Sequence, residues 1–171
     1  MNRYYLYKII TFFLYLLAQV LVFNKMVLFG TAHSFVYVAF LLTLPFELAV
    51  IPGMFIGLAL GLGIDAFTNT FGLHAAASVL LMYVRPMLIS GLAPQGGYQP
   101  GAVPRPGSMG FGWFMPYALM LIFMHHLVVF FIEFGGFALF WGTLLKVVAS
   151  TGYSFLLIVI IQYIFFARGR K

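Results

Sequence analysis

Apolar residues run along this chain in long, two-sided stretches, and short polar or glycine- and proline-rich clusters separate them. A helix on the surface of a soluble domain carries an apolar stripe on one face; a helix that is apolar all round lies in a core or in lipid. Six such stretches are read here as helices, over 4–23, 33–44, 48–67, 73–92, 113–134 and 137–166. A spanning helix needs about 20 mostly apolar residues. The second stretch is therefore short for a span, and is expected to be tilted against a thinned bilayer or to begin earlier, near Val27. Pro45 is expected to end or kink it. A membrane β-barrel would need short strands of alternating polarity, which these runs do not offer. The expected fold is all-α: one polytopic domain covering 1–171, with six transmembrane helices. Residues 93–112, rich in glycine and proline and carrying Arg105, are expected to form a flexible cytoplasmic loop.

Composition strengthens the membrane assignment. Apolar residues make up 64% of the 171 and charged residues only 7%, against about 25% charged in an ordinary soluble domain. So few charges could not cover a surface in water. The formal net charge of +6 does not point to nucleic acid, because the basic residues sit at helix ends. Six spans put Arg3, Lys8, Arg105, Arg168, Arg170 and Lys171 on one side, with Arg85 near it and Lys25 alone opposite. The positive-inside rule makes that side cytoplasmic, with both termini there. The first apolar run resembles a signal peptide but lacks a clean small-x-small cleavage site, so it is expected to be a retained helix. There is no cysteine, which excludes disulfides, thiolate nucleophiles and cysteine-held metals.

Polar residues within the apolar runs are the candidates for function. Ala49, Gly53, Gly57 and Gly61 recur every four residues, and Asp65 continues the series. Each four-residue step drifts about 40° around a helix, so the glycines share a face and Asp65 lies at its margin. Small residues at this spacing allow close helix–helix approach, within the chain or with a partner. Asp65, beside the polar turn 68–72, can cap a helix, make a structural hydrogen bond, touch a partner or belong to a proton or ion relay. Glu133 ends the fifth helix on the same outer side, and Glu47 is expected to reach the cytoplasmic interface. Lys146 lies deep enough in the sixth helix to prefer a carboxylate. An ion pair with Asp65 or Glu133 is hypothesised, with non-additive stability losses as its signature. Of His33, His74, His125 and His126, the adjacent pair points about 100° apart on a helix. They are expected to make interfacial or intrahelical hydrogen bonds and not to bind a metal. No nucleophile–base pair, paired carboxylates or phosphate-binding loop is present, and three acids leave little for acid–base or metal chemistry. No cofactor is expected.

The segment Leu44-Pro45-Phe46-Glu47, Gly53-Met54-Phe55-Ile56-Gly57-Leu58, Gly61-Leu62-Gly63-Ile64-Asp65 and Phe71-Gly72-Leu73-His74-Ala75 resembles the rod shape-determining protein MreD family. The match lies in a proline after the second helix and in Gly53, Gly57, Asp65, Gly72 and Ala75. Length, the six-helix layout and basic ends agree along the chain; the 93–112 segment departs from the family pattern. The resemblance implies a fold like that of the membrane subunits of energy-coupling-factor transporters. It also implies a non-catalytic scaffold in a bacterial inner membrane, serving cell-wall elongation. The implied partners are the bitopic protein MreC and, in a larger complex, MreB and the RodA–transpeptidase synthase. Gly53, Gly57, Gly61, Asp65 and Gly72 are the expected packing or partner-binding positions. The alternative is a substrate-binding subunit of an energy-coupling-factor vitamin transporter, which very short outer loops and sparse polar residues disfavour. An intramembrane enzyme lacks its residues.

Overall fold

The computed structural model describes residues 3–166, apart from the side chains of Tyr4 and Phe166; Arg168, Arg170 and Lys171 lie outside the described residues. Its helices are α1 (Arg3–Leu21), α2 (Val38–Leu42), α3 (Val50–Thr68), α4 (Leu73–Gly91), α5 (Pro106–Met109), α6 (Phe111–Glu133) and α7 (Phe140–Phe166). Five of these, α1, α3, α4, α6 and α7, are long and apolar enough to cross a membrane. The chain is thus consistent with a multi-pass membrane protein.

The expected helix over 33–44 is a correction. A two-stranded hairpin, β1 (Val27–Leu28) with β2 (Ala32–His33), replaces its start, and only α2 is regular helix. Almost every residue of the segment is buried. The segment joins opposite ends of the bundle. Ser34 Oγ donates to Phe23 O beyond the C-terminus of α1 (3.0 Å), and Lys8 Nζ, near the start of α1, donates to Thr43 O (3.4 Å). Geometry favours the break. An extended residue rises about 3.3 Å against about 1.5 Å in a helix, so an extended start lengthens the segment toward the roughly 30 Å of a hydrocarbon core.

The other helices surround this segment, and the core lies along it: Val36, Tyr37, Val38, Leu41 and Leu42 meet Leu60, Ile64, Leu81, Leu121, Ile122 and Val147. One end of the bundle holds Asp65, His74, Glu133 and Lys146, and is called the acidic end below. The other holds Lys8, Arg85 and Arg105, and is called the basic end.

The segment 93–112, expected to be a flexible loop, is tied to the basic end at several points. Tyr98 stacks on Phe46 (4.0 Å between centroids) and its hydroxyl donates to Ile89 O at 2.7 Å. Trp113 and Leu92, which flank the segment, are joined by a hydrogen bond from Trp113 Nε1 to Leu92 O at 2.8 Å. Pro106 is buried, at the start of α5.

Candidate functional site: a buried broken segment and the α3–α4 joint

Backbone that leaves the helical ladder at membrane depth must find other partners or lose several kcal/mol per group, so it is tolerated only inside protein or along a water-filled cavity. Here the partners are side chains of the surrounding helices. On the N-terminal side, the His33 and Phe35 N–H groups donate to Ser150 Oγ and Ser154 Oγ of α7, both at 2.9 Å. The spacing fits: four residues of helix rise about 6 Å and two of strand about 6.6 Å, so an i, i+4 serine pair can satisfy alternate residues of an extended chain. Gln19 of α1 takes the next group. Its Oε1 accepts from Tyr37 N (3.2 Å), and its Nε2 donates to Ser34 O (2.8 Å) and Asn24 Oδ1 (2.7 Å).

The C-terminal side mirrors this with donors. Four successive carbonyls, Leu42 to Pro45, each receive a side-chain hydrogen. Tyr117 Oη donates to Leu42 O (2.9 Å) and Lys8 Nζ to Thr43 O (3.4 Å). Arg85 Nη2 donates to Leu44 O and to Pro45 O (3.2 Å), while its Nε donates to Tyr117 Oη (2.9 Å). Arg85 is only 1% exposed, and its hydrogen-bond partners are two carbonyls and a phenol. Cations near the C-terminus of a helix complement its exposed carbonyls, and the planar guanidinium serves several acceptors at once. By sequence Arg85 reads as an end charge, and Gln19, Ser150, Ser154 and Tyr117 belong to no motif. The available signal was their polarity inside apolar helices, since such groups face a bundle interior.

His125 and His126, expected to make interfacial or intrahelical hydrogen bonds, are core residues. His125 Nε2 lies 2.6 Å from Tyr37 Oη, and His126 Nε2 lies 3.1 Å from Ser154 Oγ. His126 Nδ1 is 2.7 Å from Ile122 O, an intrahelical contact in which a carbonyl can only accept, so Nδ1 carries a proton. Ser154 Oγ accepts from the Phe35 amide and lies within hydrogen-bond distance of both His126 Nε2 and His33 O (3.4 Å).

The glycine series forms the joint between α3 and α4. A Cβ added at Gly61 would collide with the Ala75 backbone and approach His74 O to 2.6 Å. At Gly57 it would meet Ser78 O at 2.8 Å, and at Gly53 the terminal methyl of Met82 at 2.7 Å. The face is therefore filled from within the chain. Asp65 completes the joint. Its Oδ1 accepts from Thr70 Oγ1 (2.6 Å), His74 Nδ1 (2.8 Å) and the His74 amide (3.1 Å), and its Oδ2 accepts from the Ala75 amide (2.9 Å). The first turn of α4 needs such an acceptor, because its N-cap is Gly72, which has no side chain and sits in the left-handed region at φ +88°. A carboxylate from the preceding helix does the work of a missing Ser or Asp cap.

Lys146 pairs with Glu133 at 3.5 Å, not with Asp65, which is occupied by His74. The ammonium also lies over the Phe130 and Phe134 rings, 4.5 and 4.6 Å from their centroids. Beside these groups the acidic end opens into a cavity of about 180 Å³, lined in part by Asn24, His33, Thr70, His74, Phe130 and Glu133. Glu47, at the other end, is exposed, and its Oε1 accepts from the Gly101 amide at 2.7 Å. That hydrogen bond holds its carboxyl below the ordinary range.

Among the described residues no three His, Asp or Glu side chains gather in a way that could hold a metal ion. The chain matches no family model, no curated protein and no solved structure.

Proposed function

We propose that this chain is a non-catalytic scaffold of the MreD type, seated in a bacterial inner membrane with both termini in the cytoplasm. It organises peptidoglycan synthesis during cell elongation by binding an MreC-like bitopic protein. Through that partner it joins MreB and the RodA–transpeptidase synthase. One observation carries the reading: apart from Pro45, the residues on which the sequence resemblance rests, Gly53, Gly57, Asp65, Gly72 and Ala75, lie together at the α3–α4 joint. Gly57 and Gly61 admit α4, Gly61 abuts Ala75, Asp65 caps the His74 and Ala75 amides, and Gly72 turns the chain between them. A motif whose members cooperate physically is a stronger basis for resemblance than scattered glycines. Ser150, Ser154 and Arg85 fit a rigid platform as well, since they are engaged with backbone. Affinity purification of the tagged chain from mild detergent is expected to retrieve an MreC-like single-span protein.

The transporter-subunit reading keeps one observation in its favour, the polar and aromatic cavity at the acidic end. Its volume of about 180 Å³ is below the roughly 300–1,000 Å³ of typical ligand pockets, too small for a vitamin without rearrangement. Recovery of an ATPase pair and a bound vitamin in the same purification would overturn the scaffold reading in favour of this one.

A further inference from the structure

Pro86 lies inside α4 and Pro116 inside α6. A proline has no N–H to give the carbonyl four residues back, so each helix lacks one rung of its ladder, toward Met82 in α4 and toward Gly112 in α6. The two gaps stand at one level of the bundle, because Arg85 Nε, beside the first, donates to Tyr117 Oη, beside the second (2.9 Å). About one helical turn remains beyond each, 87–91 and 111–115. Residues 87–115 therefore leave the bundle through one proline and return through another. Pro52 makes no such gap, since in the first turn of α3 its N–H would have no helical partner anyway.

The piece between the prolines is bound together internally. Tyr98 Oη donates to Ile89 O (2.7 Å), Trp113 Nε1 donates to Leu92 O (2.8 Å), and the Tyr98 and Trp113 rings meet edge to face at 5.8 Å. Its fastenings gather where the buried segment ends. Phe46 carries Tyr98 stacked on it (4.0 Å) and Trp113 against it edge to face (5.6 Å). The Phe46 amide donates to Ala102 O (3.5 Å), and the Gly101 amide donates to the exposed Glu47 carboxylate (2.7 Å). α5 also touches α7. Ring contacts and an exposed hydrogen bond are individually weak, and moving elements are drawn from the less stable parts of a fold.

We propose that residues 87–115 form a hinged lid, which bends at Pro86 and Pro116, latches on Phe46 and Glu47, and on opening uncovers Phe46 at the basic end. Hinge motion needs a few backbone positions that absorb the change and a body that stays whole between them; the paired prolines supply the first and the Ile89–Tyr98 and Leu92–Trp113 bonds the second. The Arg85–Tyr117 bond lies on the bundle side of both prolines, so the Leu44 and Pro45 carbonyls keep their donors when the lid moves. The inference does not rest on the scaffold reading and survives its failure.

The test is quenching of Trp113 fluorescence by acrylamide in the detergent-purified protein, with Trp141→Phe leaving Trp113 as the one tryptophan. Replacing both hinges (Pro86→Ala with Pro116→Ala) restores the missing N–H groups and is expected to lower the quenching constant several-fold. Glu47→Ala removes a latch that meets the lid at Gly101 and not at Trp113, and is expected to raise it several-fold. In the protein with both hinges replaced, Glu47→Ala should no longer do so. Quenching that the hinge replacements leave unchanged would overturn the proposal, as would a Glu47→Ala protein that quenches like the unaltered one. If the double replacement is not monodisperse, Pro116→Ala alone decides: a partial fall supports the hinge, and no change overturns it.

Discussion

At the scale of single residues, Gln19, Arg85, Tyr117, Ser150 and Ser154 are spent on the protein's own backbone. Arg85 shows how far that goes: a buried guanidinium with no carboxylate beside it among the described residues, held by Leu44 O, Pro45 O and Tyr117 Oη. A lysine there has the charge but not the fork, and cannot reach all three acceptors in one plane. Arg85→Lys is expected to destabilise by about 2–3 kcal/mol, the cost of leaving buried acceptors unmade. A thermal unfolding midpoint in detergent equal to that of the unaltered protein would contradict this. The Lys146–Glu133 pair should count for much less. Glu133 is 45% exposed and the pair is long at 3.5 Å, so its coupling is expected at roughly 0.2–1 kcal/mol, as for exposed ion pairs. A double-mutant cycle of Lys146→Met with Glu133→Gln should show that coupling, whereas Lys146→Met with Asp65→Asn should be additive. Coupling of Lys146 to Asp65 would mean that the pairing is misassigned.

At the scale of elements, the α3–α4 joint predicts a graded series. Gly53→Ala meets only the end of the flexible Met82 side chain, Gly57→Ala meets Ser78 backbone, and Gly61→Ala meets the backbone of both His74 and Ala75. Side chains can give way and backbone cannot. The first change is therefore expected to be nearly neutral, with the other two rising through the roughly 1–3 kcal/mol typical of overpacking. A thermal-shift series in another order would refute the packing account. The loop at the basic end carries a pH dependence. The Gly101 amide lowers the Glu47 carboxyl relative to the undocked chain. That anchor is thus fully present above the ordinary carboxylate range, and is lost as pH falls through the lowered value. Hydrogen-exchange protection of the Gly101 amide should fall at acid pH, and Glu47→Gln should remove the dependence.

On the scale of the whole molecule, the buried segment between the hairpin and Pro45 decides how the ends are arranged. Because it joins the acidic end to the basic end, the hairpin tip and the loop 93–112 lie at opposite ends of the bundle. The chain has no native cysteine, so single introduced thiols report cleanly. Phe29→Cys at the hairpin tip, where the side chain is 92% exposed, and Ser108→Cys in the exposed part of the loop region are expected to react with impermeant reagents from opposite faces. On the proposed orientation Ser108→Cys reacts only from the cytoplasmic face. Labelling of both from one face would mean that the segment turns back instead of crossing.

Periodicity and composition alone determined the membrane class, the five long helices to within a few residues, and the closeness of Gly53, Gly57 and Gly61 on one face. These are local properties: twenty apolar residues in a row, or a fixed step around a helix, need no knowledge of neighbours. The sequence also marked Asp65 as a possible cap, but not which amides it would meet, because its partners His74 and Ala75 belong to the next helix. What the tertiary structure decided was the fate of 33–44. Its residues read as a short apolar helix, and nothing local forbids one. The segment is extended at its start because Ser150, Ser154 and Gln19, distant in sequence, stand where its amides need acceptors. It ends where Lys8, Tyr117 and Arg85 meet its carbonyls. A broken segment inside a membrane bundle is stable only once all its partners are assembled, and that assembly is a property of the fold rather than of any stretch of the chain.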